Sequence, residues 1–432
     1  MNYTRFLTAT SLARKPSPIR FLTEILAKSP PSMISLAAGQ PNPSMFPFKE
    51  SSFVLRDGTS IELDETSMNI ALQYGSSKGY DPLLSWLREL QKKLHDPPLF
   101  NSENKETKTD LCMVSGSQDG LSKAFDMLVS RGDNVLVEIP CYPGTLTALR
   151  PKGANLIGVE TDHQGMKPSS LREALSKWKP EDSKDPLSDI PKILYTVPNG
   201  GNPTGMSTTE NRKKEIYQIA HEYDILIVED DPYYFLQFNE VPIPSYLSLD
   251  IDGRVLRMDS FSKIISSGMR LGFATMSSTF VDRFVKNLMV SNYHPDCLVQ
   301  VVITKLFHQW GMDGLLQHVN MVKGFYKDQK DAMILSAEKH LSGLAEWHEP
   351  LAGMFLWVKL KQVNDTNKLI MEKAIEKEVL LTPGNAFMIN DQLPSPYLRA
   401  AFSLATPEKM DKGFERLSLL IKEEINANQQ NK

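Results

Sequence analysis

Between residues 111 and 276 the chain alternates short apolar runs with longer amphipathic stretches. The runs cover 111–114, 134–139, 155–159, 193–197, 225–229, 255–258 and 271–276. Most are too short and too β-branched for helices, whereas a spacer such as 210–223 carries its apolar residues at helical spacing. Strands interleaved with helices predict an α/β domain with a mostly parallel, seven-stranded sheet covered by helices on both faces. Further along, residues 322–432 contain a helical start, strand-like runs at 354–358 and 398–403, a turn at Pro383-Gly384 and an amphipathic end over 407–424. This second pattern predicts a smaller α+β domain. The expected division is an N-terminal arm and lid helix over 1–48, counted with the small domain, a large domain over 49–320 and the C-terminal small domain over 321–432.

In open sheets of this kind ligands collect at the carboxyl ends of the strands, so chemistry-bearing motifs are expected just after the apolar runs. Four occur there. The first is Ser115-Gly116-Ser117-Gln118-Asp119-Gly120, which opens a helical stretch from Leu121; small residues let the backbone approach an anion, and the first helical N–H groups point at it. Its plain alternative is an ordinary helix cap. The second is Pro198-Asn199-Gly200-Gly201-Asn202-Pro203-Thr204-Gly205, richer in turn residues than a simple connection requires. The third is Glu229-Asp230-Asp231-Pro232-Tyr233-Tyr234, where strand alternation turns Asp230 away from Glu229 and Asp231. The fourth runs from Ser260-Phe261-Ser262-Lys263 to Gly268-Met269-Arg270. A lysine that is desolvated or set beside another cation loses its proton more readily and attacks carbonyl carbon, and Ser260, Ser262 and Arg270 read as ligands for a phosphate beside it. Alone, the same segment also reads as a strand followed by a polar turn with a solvated lysine.

Composition narrows the field. With 432 residues, 41% hydrophobic and 23% charged, the chain can bury a large core. A net charge of −4 gives no basic footprint for nucleic acid, and no apolar stretch reaches membrane-spanning length. Cys112, Cys141 and Cys297 lack metal or redox spacing and are expected as unpaired thiols in a reducing compartment; the eight histidines show no ligand pattern, so no metal is expected. Small charged molecules remain as partners. From Met1 to Ser29, Arg5, Arg14, Lys15, Arg20 and Lys28 face the single acid Glu24 among several Ser and Thr. That is the composition of a mitochondrial transit segment and favours the mitochondrial matrix over the cytoplasm. The other reading is a flexible arm leading into a short helix over 18–27.

Taken in order, the four motifs closely resemble the class I, fold type I, pyridoxal-phosphate-dependent aminotransferases. Ser-Phe-Ser-Lys with Arg270 seven residues on, and Asn-Pro-Thr-Gly, are the specific signals. Within that family the nearest likeness is to the kynurenine/2-aminoadipate aminotransferases, through Leu36-Ala37-Ala38-Gly39-Gln40-Pro41-Asn42-Pro43, Ala71-Leu72-Gln73-Tyr74, Asp230-Asp231-Pro232-Tyr233-Tyr234-Phe235 and Pro396-Tyr397-Leu398-Arg399. The resemblance implies a homodimer with cofactor bound at the subunit interface, and it assigns roles. Lys263 would hold pyridoxal phosphate covalently and then move the substrate α-proton. Asp230 would pair with the pyridine nitrogen, while Asn202 and Tyr233 would bond the ring oxygen and Tyr142 would stack on the ring. Ser117, Gln118, Ser260, Ser262 and Arg270 would hold the phosphate, with Tyr74 reaching it from the other subunit. Arg399 would take the substrate carboxylate, Gly39 and Gln40 would line the pocket, and Arg20 would cover the far end of the substrate.

Three positions depart from the subgroup pattern: Pro143 stands for a serine, Gly201 for an asparagine and Gln40 for an apolar residue. They bear on substrate preference rather than on the lysine chemistry. The reaction implied is transfer of the amino group of 2-aminoadipate or kynurenine to 2-oxoglutarate, with the small domain and N-terminal segment closing over the substrate to exclude water. Two other readings follow from the same likeness. One is β-elimination on cysteine conjugates; the other is a ligand-sensing domain like those fused to bacterial transcription regulators, which needs a DNA-binding module where few residues precede Leu36.

Overall fold

The computed structural model describes residues 1–18, 22, 25, 29, 30, 32–34, 36, 37 and 39–430. Arg20 and most of the expected helix over 18–27 lie outside them. Two compact units are distinguished, one of Met1–Ser130 with Leu247–Leu316, the other of Arg131–Tyr246 with Gln317–Lys432. Each of the seven apolar runs contains a strand, and the fold is α/β. An eighth large-sheet strand, Gly165–Met166, adds one to the expected seven; two residues are too few to leave a periodic pattern.

In the first unit Thr109–Val114 pairs antiparallel with Gly272–Ser277, which pairs antiparallel with Val255–Ser260. The outer two therefore run in one direction. In the second unit Leu226–Asp230, Ile193–Thr196, Asn134–Ile139 and Asn155–Asp162 pair in parallel in that order. Gly165–Met166 then closes that edge antiparallel. Val255–Ser260 and Leu226–Asp230 are buried at every position, which is why they read as continuous runs rather than alternations.

Helix Ser117–Leu128 starts four residues before the expected Leu121, so Ser117 and Gln118 sit in its first turn. Its cap, Gly116, has φ 87°, and a Cβ there would lie 2.3 Å from an Arg270 guanidinium nitrogen. Only glycine combines that backbone with that approach. A hairpin absent from the expectations, Ser51–Val54 with Ser60–Leu63, turns through Asp57 and Gly58.

The N-terminal arm differs from its reading as a flexible segment. Tyr3–Phe6 form a short 3₁₀ turn and Ala9–Ala13 a helix capped by the Thr8 side chain. Phe6 is 1% exposed and packs edge-on to Phe280 beside Tyr3, while Arg14 pairs with Asp126 at 2.7 Å. Burial of two aromatic rings is what fixes this arm.

The second unit also carries a four-stranded antiparallel sheet in the order Ala345–Trp347, Phe355–Leu360, Tyr397–Ala401, Thr382–Pro383. Two of these strands were expected; the other two are three and two residues long. Met410, Phe414, Leu417 and Ile421 recur along one face of the terminal helix Pro407–Gln430 and pack with Leu356, Val358 and Leu398.

Candidate active site

In the first unit the Lys263 segment and the Ser115–Gln118 turn meet through one guanidinium. Arg270 donates from Nη1 to Ser262 Oγ at 3.4 Å and to the Ser267 carbonyl at 3.2 Å, and from Nη2 to the Ser115 carbonyl at 3.3 Å. Its own backbone is left-handed, φ 48°, a conformation that a non-glycine residue holds only where its surroundings demand it. Ser115 is held at its other atoms too. Its N–H donates to Asp119 Oδ2 at 3.0 Å, and its hydroxyl accepts from Asn292 Nδ2 at 3.2 Å; Lys123 pairs with Asp119. Ser260 is buried at the strand end and accepts from the Ser262 N–H at 3.2 Å. Thus Ser117 and Gln118 offer a helix N-terminus beside a cation, the arrangement that binds an anion.

Lys263 follows directly, partly buried. Burial first, and the nearby Arg270 second, lower its pKa below that of an ordinary lysine. Both causes disfavour the ammonium form and favour the nucleophilic amine. In the same unit a cavity of about 640 Å³ is lined by Gln40, Thr66, Gln73, Tyr74, Tyr80 and Cys297 among others. Tyr74 is exposed and rests edge-on against Tyr293 at 5.1 Å; Gly39 is exposed, with nothing within 4 Å of its Cβ position among the described residues.

The second unit holds the remaining candidates. Arg399 donates from Nη1 to Asn202 Oδ1 at 2.7 Å and from Nη2 to Thr382 Oγ1 at 3.2 Å. Its guanidinium lies 4.3 Å from the Phe355 ring centre and 5.1 Å from that of Phe387, while Nε is buried without a hydrogen-bond partner among the described residues. Two aromatic faces therefore hold a cation in place in a partly dry setting. Burial, opposed by Tyr233 and Tyr142, lowers the Arg399 pKa, yet an arginine stays charged. Tyr233 is buried, edge-on to Phe355; burial and then the Asp230 charge push its phenol well above an ordinary tyrosine. Tyr142 caps helix Pro143–Leu149.

Asp230 closes its strand at 3% exposure and accepts from the Tyr195 hydroxyl at 2.8 Å. Glu229 turns to the Tyr246 N–H and Asp231 to the Asn199 side chain, so the acids face different partners as alternation requires. Tyr195, Thr382, Phe355 and Phe387 were not singled out from the sequence. A signal existed for Tyr195: it pairs with Val228, two residues before Asp230, so the phenol and the carboxylate share one face of adjacent strands. No comparable signal marks Thr382.

The sequence profile described as Aminotransferase class I and II matches residues 34–417. Among curated proteins the chain is 55% identical to the kynurenine/alpha-aminoadipate aminotransferase, mitochondrial, of Mus musculus, over 98% of this chain and 100% of that one. Among solved structures it resembles the aminotransferase Aro8 from Candida albicans, with a TM-score of 0.87 at 26% identity over 99% of both chains. It also resembles the Pyrococcus horikoshii kynurenine aminotransferase solved with PMP, at a TM-score of 0.76 and 30% identity over 98% of both.

Proposed function

This chain belongs to the class I and II aminotransferases, enzymes that use pyridoxal phosphate, and on that premise we propose that it moves the amino group of L-2-aminoadipate and L-kynurenine to 2-oxoglutarate. The donors are supported by the name carried by a relative sharing 55% of its residues. The observation that carries the site is Lys263, a partly buried amine whose basicity is lowered beside a guanidinium that ties two anion-binding segments together.

The residues present fit the cofactor. The space a Cβ would fill at Gly116 is taken by the Arg270 guanidinium, and the first turn of helix Ser117–Leu128 adds its positive end, a combination suited to a phosphate. Arg270, Ser260, Ser262, Ser117 and Gln118 would hold that phosphate, Asp230 the ring nitrogen, Asn202 and Tyr233 the ring oxygen and Tyr142 the ring face. When bound, pyridoxal phosphate supplies an aldehyde for the amine and a conjugated ring that accepts the electron pair left at carbon. The protein does the rest. Lys263 binds the cofactor and then carries a proton to and from the substrate α-carbon, a positioned transfer typically worth about 10² to 10⁴ in rate. Arg399 takes the α-carboxylate on its fork, with Nε and the Asn202 amide at hand. Tyr195 donates to Asp230 Oδ2 and so fixes the orientation of that carboxyl.

Gly39 and Gln40 would line the substrate pocket and Tyr74 would reach the cofactor of the other subunit in a homodimer. Support for a dimer comes from the apolar side chains left exposed in the first unit, among them Leu36 at 98%, Ile34 at 86% and Met45 at 77%. The relatives' names favour mitochondria. Tyr3–Ala13 are packed into the first unit and, in this proposal, remain on the working protein.

Borohydride reduction of the holoenzyme followed by peptide mapping is expected to place the cofactor on Lys263. Recovery on another lysine, or full turnover by Lys263→Ala, overturns the assignment. Bleaching of the yellow holoenzyme by 2-aminoadipate and its recovery with 2-oxoglutarate tests the substrates; unchanged colour with both named donors refutes them.

A further inference from the structure

The second unit contains a cavity of about 400 Å³, none of whose lining residues is Asn202, Arg399, Asp230, Tyr142 or Tyr233; Pro140, Thr161, Thr204 and Met206 are shared with an adjoining narrow cleft that Asn202 lines. Its size falls in the ordinary range for small-molecule sites. We propose that it binds a small aromatic carboxylic acid, with the ring laid on the Trp357–Tyr397 stack and the carboxylate taken by His163 and His348.

One wall of the cavity is aromatic. Trp357 and Tyr397 lie on neighbouring strands with their rings 5.2 Å apart and only 6° from parallel. Both line the cavity, beside the edge-on Phe387 ring at Trp357 and the Lys359 ammonium over Tyr397, so a flat ligand there meets aromatic carbon already in place. Met206 and Met388 form further walls, and thioethers adapt to irregular shapes. An aliphatic ligand would forgo the stack.

The charges around the cavity favour an anion. Two carboxylates line the cavity, but Arg212 grips Asp162 bidentately at 2.6 and 2.9 Å, and Lys167 meets Glu160 at 2.7 Å. An incoming anion therefore meets neutralised pairs. The imidazoles of His163 and His348 stand with ring centres 5.3 Å apart, close enough for one carboxylate to accept from both.

Occupancy has a route to the residues described earlier. Thr204 and Met206 line the cavity, and the Met206 carbonyl accepts from the Gly201 N–H at 2.9 Å, one residue before Asn202. Trp357 pairs across the sheet with Arg399. A bound acid is thus expected to alter KM for the amino acid more than kcat; this consequence rests on the proposed function, whereas the binding itself does not.

Indole-3-acetate is a suitable probe, having a flat ring and a carboxylate but neither an amine nor an oxo group to transfer. Titration calorimetry on the holoenzyme is expected to show binding that weakens about tenfold or more in His163→Ala/His348→Ala, whose substituted residues are exposed, and in Met206→Trp, which fills the cavity. Arg399→Ala is expected to leave that binding within about twofold. Loss of binding in Arg399→Ala with full retention in the histidine variant would mean that the acid uses only the Arg399 cluster. Absence of binding heat at millimolar probe likewise overturns the proposal. Neither result bears on where borohydride traps the cofactor.

Discussion

Tyr195→Phe removes one oxygen from a fully buried site and leaves the ring in place. The hydroxyl donates to Asp230 Oδ2 at 2.8 Å, and burial first, then the Asp230 charge, pushes its pKa far above an ordinary phenol. It therefore remains a donor at every pH at which the enzyme is assayed. Hydrogen bonds to charged groups contribute about 1.5–3 kcal/mol, and every 1.36 kcal/mol is a factor of ten. If Asp230 supports the cofactor ring as proposed, its weakened hold lowers kcat by roughly 10- to 100-fold. The substrate KM should move by less than about threefold, because the Arg399 fork is untouched. Single-turnover stopped-flow with 2-aminoadipate reads the chemical step, and thermal melting checks that the variant folds. A folded Tyr195→Phe enzyme with kcat within about twofold of the parent would show that this hydroxyl does not support the reaction, and would remove Tyr195 from the proposed machinery.

Gly116→Ala drives a methyl into the space of the Arg270 guanidinium at a backbone φ of 87°, so cofactor affinity should fall by about tenfold or more in equilibrium dialysis; unchanged affinity would refute the phosphate assignment. Phe6→Ala removes a ring buried against Phe280 and should cost about 3–5 kcal/mol in urea unfolding, whereas a loss under about 1 kcal/mol would mean that the arm is not part of the core. Glu138 is buried, accepts from Thr196 Oγ1 at 2.7 Å and Val197 N–H at 3.0 Å, and is raised from 4.5 to about 7, chiefly by burial. Between those values the native state binds more protons than the unfolded one, so this group is without penalty below 4.5 and loses stability as pH rises, by roughly 3 kcal/mol once above 7. In Glu138→Gln the Thr196 hydroxyl can turn to accept from the amide. That variant should therefore gain on the parent at pH 8 relative to pH 5, and identical pH dependence in urea titrations would refute the reading.

What could be read along the chain was what local patterning records. Most of the seven runs became strands because residues closed in on both faces must be apolar throughout, and that composition is visible without knowing their neighbours; the run over 155–159 is only partly buried. Turn chemistry was local too: Gly116, the Asn199–Gly205 loop and the Lys263 segment announced themselves by residue type, and the resemblance to a known family rested on those same stretches. The two-residue strands Gly165–Met166 and Thr382–Pro383 escaped because a period needs more than one repeat. The packing of Phe6 escaped because an isolated aromatic does not say which ring it will meet.

Tertiary structure alone decided the contacts that give the site its chemistry. Arg399 and Asn202 are 197 residues apart, Arg270 and the Ser115 carbonyl 155, Tyr195 and Asp230 35. A residue's type states what it is able to bond, but which partner arrives depends on strand order and register, set by the packing of the whole sheet. The same holds for the amine of Lys263. Its identity is written in the chain, while its lowered basicity comes from the burial and the neighbouring cation that folding supplies.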